Sequence, residues 1–194
     1  MDARYRALVV LAAATGMRQG EVFGLTIPRL DLLRRVVRVE QQLITIQGRE
    51  PYLGPPKTEA SVRTIPLPLI VVDSVAAHLA EYEPGELRTV FSGDRSEPLR
   101  RNRFSERVWR PAVTRAGLRP GTRFHDLRHY YASLLIRHGE SVKTVQARLG
   151  HASATETLDT YAHLRPDSED RTREAVDSML GPAVWPRSGT GSVG

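Results

Sequence analysis

Phe124-His125-Asp126-Leu127-Arg128-His129-Tyr130-Tyr131-Ala132-Ser133-Leu134-Leu135-Ile136 opens the stretch that decides the reading. It runs on through Leu149-Gly150-His151 and closes on Thr157-Leu158-Asp159-Thr160-Tyr161. His125 and Arg128 stand three apart, so on a helix they share one face. Leu127, Tyr131, Leu134 and Leu135 repeat at helical spacing and predict a helix anchored in a core. A guanidinium and a titratable imidazole held on one face make an anion site. A further histidine, His151, and a tyrosine, Tyr161, complete the inventory for attack by a phenol on a phosphate.

Composition agrees with a polyanionic partner. The chain of 194 residues has a formal net charge of +6 and a pI near 10.1, with arginine far outnumbering lysine. Such a balance favours nucleic acid, although a merely soluble basic protein fits the charge alone. There is no cysteine, which excludes disulfides, thiolate metal sites and a cysteine nucleophile. No apolar run approaches the roughly 20 residues that span a bilayer. The apolar segment Ala7 to Ala14 is followed by Gly16-Met17-Arg18 rather than a small-residue cleavage site, so no signal peptide is read and a cytosolic protein is expected.

Outward from the central stretch, the chain reads as α+β and mainly helical. Residues 3–15 predict a buried helix stopped at Thr15-Gly16, and Gln19 to Leu25 a second one broken by Pro28. The β-branched run Val36 to Ile46, then Pro51 to Pro55 and Val62 to Leu67, predict a small three-stranded antiparallel sheet in the N-terminal third. Helices resume over Leu69 to Tyr82 and over Arg100 to Gly117, the latter with a kink expected at Pro111. Ser141 is placed to cap a helix through Leu149. A short helix to Tyr161 and an amphipathic one from Pro166 to Leu180 follow, and residues 181–194, rich in Gly, Ser and Pro, predict a flexible tail.

Phosphodiester cleavage needs a nucleophile, positive charge around the crowded phosphorus and an acid for the leaving oxygen. Arginine supplies the charge without a metal, because its planar fork contacts two phosphate oxygens at once. Arg18 and Arg128 are the candidates. Tyr161 is the candidate nucleophile; nearby guanidinium groups would lower a phenol pKa that is otherwise about 10. Lys57, in the loop Pro56 to Ser61, is the candidate acid. Arg100, Arg101, Arg103 and Arg107 crowd one helix and are candidate contacts to a nucleic-acid backbone, the alternative being a solvated face. Each signal is weak alone.

Their order is more specific. Ala14-Thr15-Gly16-Met17-Arg18-Gln19-Gly20-Glu21-Val22 resembles the first arginine box of the tyrosine recombinases, the phage-type integrase family. Pro56-Lys57-Thr58 with Val62-Arg63-Thr64-Ile65-Pro66-Leu67 resembles that family's hairpin lysine and the strand after it. His125-Asp126-Leu127-Arg128 is similar to its His-x-x-Arg box, Leu149-Gly150-His151 to its third basic position, and Thr157 to Leu164 to its tyrosine box. The resemblance covers residues 3 to 165. It implies that Tyr161 attacks the scissile phosphate and forms a 3′-phosphotyrosyl bond. Arg18 and Arg128 would hold the non-bridging oxygens and Lys57 would act as general acid. His125 would take the tyrosine proton or orient the phosphate, His151 would hydrogen-bond to it, and Glu21 would orient an arginine. Strand exchange then needs no metal, cofactor or ATP.

The same resemblance implies double-stranded DNA as partner, self-association on DNA into a tetrameric synapse with a free monomer allowed, and a nucleoid-associated protein of a bacterium or phage; with the apolar runs above, no membrane and a cytoplasmic location are expected. The family's helical DNA-clamping domain precedes the first arginine box, and only residues 1–13 do so here. The expected layout is therefore a catalytic domain over 1–180, the N-terminal domain absent, and the tail 181–194. A type IB topoisomerase is the nearest rival. A metallohydrolase built on His125 and His129, or a non-catalytic DNA-binding module, is more distant; Arg128 between the two histidines would repel a cation.

Overall fold

Alanine and leucine fill the first helix, and that composition puts it at the centre of the molecule. In the computed structural model, which describes residues 1–151 together with Ser153, Thr155 and Arg173, helix α1 (Arg6–Thr15) buries Leu8, Leu11 and Ala12 completely. It packs against α3 (Leu69–Glu81) and α6 (Asp126–Arg137). Tyr161, the expected helix to Leu180 and the tail lie outside the described residues. The apolar face of α1 runs nearly all round, as burial between two other helices requires.

Gly16 ends α1 as anticipated. Its φ is +62°, its N–H donates to the Ala12 carbonyl at 3.0 Å, and a Cβ there would lie 2.5 Å from the Tyr131 ring. The second helix is shorter than its pattern suggested. It is α2 (Gln19–Phe23), stopped at Gly24 rather than at Pro28. Gly24 presses on another backbone: a Cβ there would stand 2.4 Å from the Leu43 nitrogen. Pro28 sits instead in a 3₁₀ turn, Ile27–Arg29.

The expected strand Val36 to Ile46 is in fact two strands in two sheets. β2 (Val36–Val39) pairs on one side with β1 (Leu30–Asp31) and on the other with β5 (Arg63–Pro66), all antiparallel. β3 (Gln42–Ile44) pairs with β4 (Tyr52–Gly54) as a separate hairpin. The small three-stranded antiparallel sheet is present, but β1 takes the place foreseen for residues 51–55. The break between β2 and β3 is tertiary. Gln41 Nε2 donates to the Gly24 carbonyl at 2.8 Å and to Thr26 Oγ1 at 3.1 Å, and Glu40 pairs with Arg29 at 2.7 Å.

The arginine-rich helix comprises α4 (Arg101–Phe104), a π turn (Ser105–Trp109) and α5 (Arg110–Arg115), with helical dihedrals at each joint. Pro111 has no N–H for the Arg107 carbonyl, and the helix widens just before it, with Arg110 N–H donating to the Ser105 carbonyl. Near the end of the described chain, Ser141 Oγ accepts the Thr144 N–H at 3.0 Å and starts α7 (Val142–Leu149), which stops at Gly150 with φ +64°.

The apolar side chains form a large cluster around α1 and the sheet and a small one between α6 and α7, made by Tyr131, Ala132, Ile136, Val145 and Leu149. Leu134, expected in the core, is 37% exposed, and Ala132 and Ile136 take the inward positions. The seam between the two clusters is where the polar residues gather. Among the described residues no helix is long and apolar enough to cross a membrane.

Candidate active site

Three successive backbone carbonyls at the end of α7 organise the site, each held by a different arginine. Arg63 Nε donates to the Arg148 carbonyl at 2.8 Å. Arg128 Nη2 donates to that of Leu149 at 2.6 Å, and Arg18 Nη2 to that of Gly150 at 3.3 Å. The last carbonyls of a helix have no partner within it, and they carry the negative end of its dipole. Guanidinium groups suit that position, and here they draw parts distant in sequence onto one turn.

Arg18 is the cap of α2, with extended φ and ψ of −68° and 150°. Its Nη1 donates to Ser61 Oγ at 2.9 Å and to Glu21 Oε1 at 3.2 Å, while its backbone N–H donates to Glu21 Oε2 at 2.8 Å. Its Nε–H and one Nη2–H have no acceptor among the described residues. The side chain remains 24% exposed. Arg128, in the first turn of α6, is buried at 3%, and its Nη1 reaches the Gly16 carbonyl at 2.7 Å. The αL turn at Gly16 therefore both ends α1 and presents an oxygen to Arg128.

Glu21 lies beneath Arg18 at 2% exposure. Burial pushes its carboxyl pKa up, but the hydrogen bonds and charge of Arg63, then those of Arg18, outweigh it and hold the group below the ordinary carboxylate value. Arg63 Nη2 donates to Glu21 Oε2 at 2.8 Å and Nη1 to Oε1 at 3.2 Å. The sequence assigned Arg63 to a strand and gave it no part in the site. One signal was available: on β5 it shares the inward face with Ile65, and a charge at an inward strand position demands a partner. Ser61 was also passed over. It is fully buried, and its Oγ lies 2.9 Å from Thr58 Oγ1 as well as accepting from Arg18.

Lys57 is exposed in the loop between β4 and the 3₁₀ turn Glu59–Ser61, next to Thr58, and its ammonium has no partner among the described residues. His125 caps α6 and is exposed; its ring lies 5.0 Å from that of His129 at 85°. Partial burial lowers the His125 pKa, and the charges of His129, Arg128 and Arg18 add to that against Asp126, so it is neutral at pH 7. His151 is buried at 8%, its N–H donating to the Gln146 carbonyl at 3.2 Å. Gly150 packs against the lysine loop so closely that a Cβ would lie 2.8 Å from the Ala60 carbonyl. The structure thus brings together Arg18, Glu21, Arg128 and His151, with His125 above them and the Lys57 loop alongside. Tyr161 is not among the described residues.

The nucleic-acid candidates divide. Arg100 Nη2 pairs with Glu50 at 2.8 Å, and Arg103 lies 3.8 Å from Glu97. Arg101 and Arg107 are exposed and have no ion pair among the described residues. Residues 100–103 also line one side of an open groove of about 830 Å³ whose other walls are Gly20, Phe23 and residues 42–48.

Residues 1–168 match the model of the phage integrase family. The chain belongs to the phage integrase family. Within it, a tyrosine recombinase XerC-like protein of Caldanaerobacter subterraneus subsp. tengcongensis is 28% identical over 197 residues, covering 91% of this chain and 50% of that protein. The putative prophage phiRv2 integrase of Mycobacterium tuberculosis (strain H37Rv) is 33% identical over 179 residues, covering 91% and 46%. Among solved structures, the Tn1549 transposon integrase (aa 82–397) in complex with circular intermediate DNA superposes with a TM-score of 0.78 at 25% identity, covering 89% of this chain and 60% of that one. The chain spans about half the length of the curated relatives it matches. Its mainly helical fold with a small antiparallel sheet is the one its structural neighbours, the tyrosine recombinases, share.

Proposed function

We propose that residues 1–180 form the catalytic domain of a site-specific DNA recombinase that breaks and rejoins strands through a 3′-phosphotyrosyl intermediate. The observation carrying this reading is the meeting of Arg18 and Arg128 on the Leu149–Gly150 turn, with donors of Arg18 still open and the Lys57 loop tied to it through Ser61. Paired guanidiniums beside an exposed imidazole and ammonium form a cationic socket for one phosphodiester.

In this reading the non-bridging oxygens lie against Arg18 and Arg128. The Tyr161 oxygen attacks phosphorus as His125, neutral and solvent-facing, takes the phenolic proton. The bond from phosphorus to the 5′ oxygen breaks, and Lys57 gives that oxygen its proton. His151 adds a hydrogen bond to the phosphate. The 5′ hydroxyl of another strand reverses the sequence and releases Tyr161, so bond energy is conserved and neither ATP nor a metal enters the scheme. Glu21 fixes Arg18. Arg101 and Arg107 contact backbone phosphates, with Arg100 and Arg103 as weaker contributors.

Support comes from the relatives: the Tn1549 integrase structure holds DNA, and the XerC-like protein is named a tyrosine recombinase. Those names favour recombination over topoisomerase-like relaxation. Assembly on DNA into a tetramer belongs to the same reading. The test is incubation with a nicked suicide duplex followed by SDS gel electrophoresis. The unmodified chain gives an SDS-stable adduct and Tyr161→Phe gives none. An adduct that survives in Tyr161→Phe removes the nucleophile assignment.

A further inference from the structure

Arg63 is 5% exposed, and its guanidinium makes four hydrogen bonds. Each group it holds lies on, or within two residues of, a group that Arg18 holds. Both Glu21 oxygens accept from Arg63, and both accept from Arg18, one from its Nη1 and one from its backbone N–H. Arg63 Nη1 takes the Ser61 carbonyl at 2.7 Å, and Arg18 Nη1 takes the hydroxyl of the same serine. Arg63 Nε takes the Arg148 carbonyl, two residues before the Gly150 carbonyl that Arg18 takes.

We propose that Arg63 is a positioning residue for Arg18: by clamping Glu21, Ser61 and the end of α7 from behind, it fixes the three acceptors that aim the Arg18 fork. The proposal rests on the recombinase reading for its effect on rate, and on geometry alone for its effect on Arg18. Each of the three acceptors comes from a different part of the chain: α2, the loop before β5, and α7. One planar fork registers all three, and an ammonium, whose donors all sit on one nitrogen, does not. A lysine at this position keeps the charge opposite Glu21 but cannot reach two carbonyls as well. The acceptors then drift independently, and Arg18 follows them. A misplacement of about 1 Å in a reacting group lowers rates by on the order of 10²-fold.

The test compares Arg63→Lys with the unmodified chain in three measurements. These are the single-turnover rate of adduct formation on the suicide duplex, the Kd for the same duplex, and exchange of the ¹⁵N-labelled Arg18 guanidinium protons, assigned by their loss in Arg18→Ala. The expected result is a rate lower by on the order of 10²-fold, an unchanged Kd, and faster exchange at Arg18. An unchanged rate overturns the proposal. So does a lower rate with Arg18 exchange unmoved, because Arg63 would then act only through general stability. Where the unmodified chain forms no adduct, the recombinase reading fails, and Arg18 exchange alone decides the role of Arg63. If Arg63→Lys does not fold, the paired change Glu21→Gln with Arg63→Gln, which removes both buried charges together, is measured against Glu21→Gln alone: a lower rate and faster Arg18 exchange in the pair support the proposal, and equal values overturn it.

Discussion

Gly150 shows how much one missing side chain can decide. Its φ of +64° is costly for any other residue, and its α-carbon faces the Ala60 carbonyl and the Ser61 α-carbon, which a Cβ would approach to 2.8 and 3.0 Å. Gly150→Ala therefore meets two penalties, the left-handed backbone at about 1–2 kcal/mol and a contact with backbone that no side-chain rotation relieves. Urea titration of this variant should show a stability loss of at least about 1 kcal/mol. A midpoint equal to that of the unmodified chain would mean that the turn and the lysine loop are not packed as described. Glu21 sets a pH dependence by a different route. Its carboxyl pKa is lowered in the folded state, so its stabilisation is complete above the unfolded value and is lost as pH falls through the folded one. Glu21→Gln leaves Arg63 as a buried charge without its counter-ion and should cost about 3–5 kcal/mol at pH 7. Because it also removes one carboxylate of lowered pKa, its stability should fall less steeply below about pH 4.5; Glu97, also lowered, keeps a residual slope. Equal acid slopes for both proteins would show that Glu21 does not titrate as the ion pair requires.

At the scale of elements, Phe104 joins parts that the sequence leaves far apart. Its ring meets those of Tyr5, Phe23 and Phe124 edge-on at 5.6, 5.1 and 5.7 Å, linking the N-terminus, α2, α4 and the loop before α6. Truncation to alanine should cost about 3–5 kcal/mol in denaturant titration, and a loss below about 1 kcal/mol would show that the four parts are held otherwise. The periodic helices were legible in the sequence because each buries one stripe: α3 and α7 lie within a residue or so of their pattern, and α1 ends where expected but starts at Arg6, with Ala3–Tyr5 a 3₁₀ turn ahead of it. The strands were less legible. Val36 to Ile46 is rich in β-branched residues on both sides of Glu40-Gln41-Gln42, and what divides it is Gln41 reaching to Gly24 and Thr26. No local pattern reports that contact. Leu134 was misread for a related reason: its spacing fits the stripe, but α6 turns its Ala132 and Ile136 side to α7 instead. The site divides in the same way. Arg18, His125, Arg128 and His151 sit in short boxes readable from their neighbours. Arg63 and Ser61 owe their importance to the end of α7, some eighty residues later in the chain, and only the fold makes that visible.

At the scale of the molecule, the net charge of +6 is spread unevenly between paired and open arginines. DNA affinity should fall as salt rises, because each arginine that neutralises a phosphate releases condensed counter-ions, with log K falling by about 0.9 per contact against log salt. Arg101 and Arg107 are exposed without an ion pair among the described residues, so either change to alanine should flatten the salt slope by about 1. Arg100 is already engaged by Glu50 at 2.8 Å, and Arg103 stands 3.8 Å from Glu97. For these, binding a phosphate means giving up an acidic partner, and the net number of counter-ions released per contact is smaller. Arg100→Ala and Arg103→Ala should therefore flatten the slope less than the other two. Fluorescence anisotropy of a labelled duplex between about 50 and 200 mM salt measures all four slopes. Four equal losses would mean that the ion pairs dissolve on binding, and no loss at Arg101 and Arg107 would move the DNA to another face.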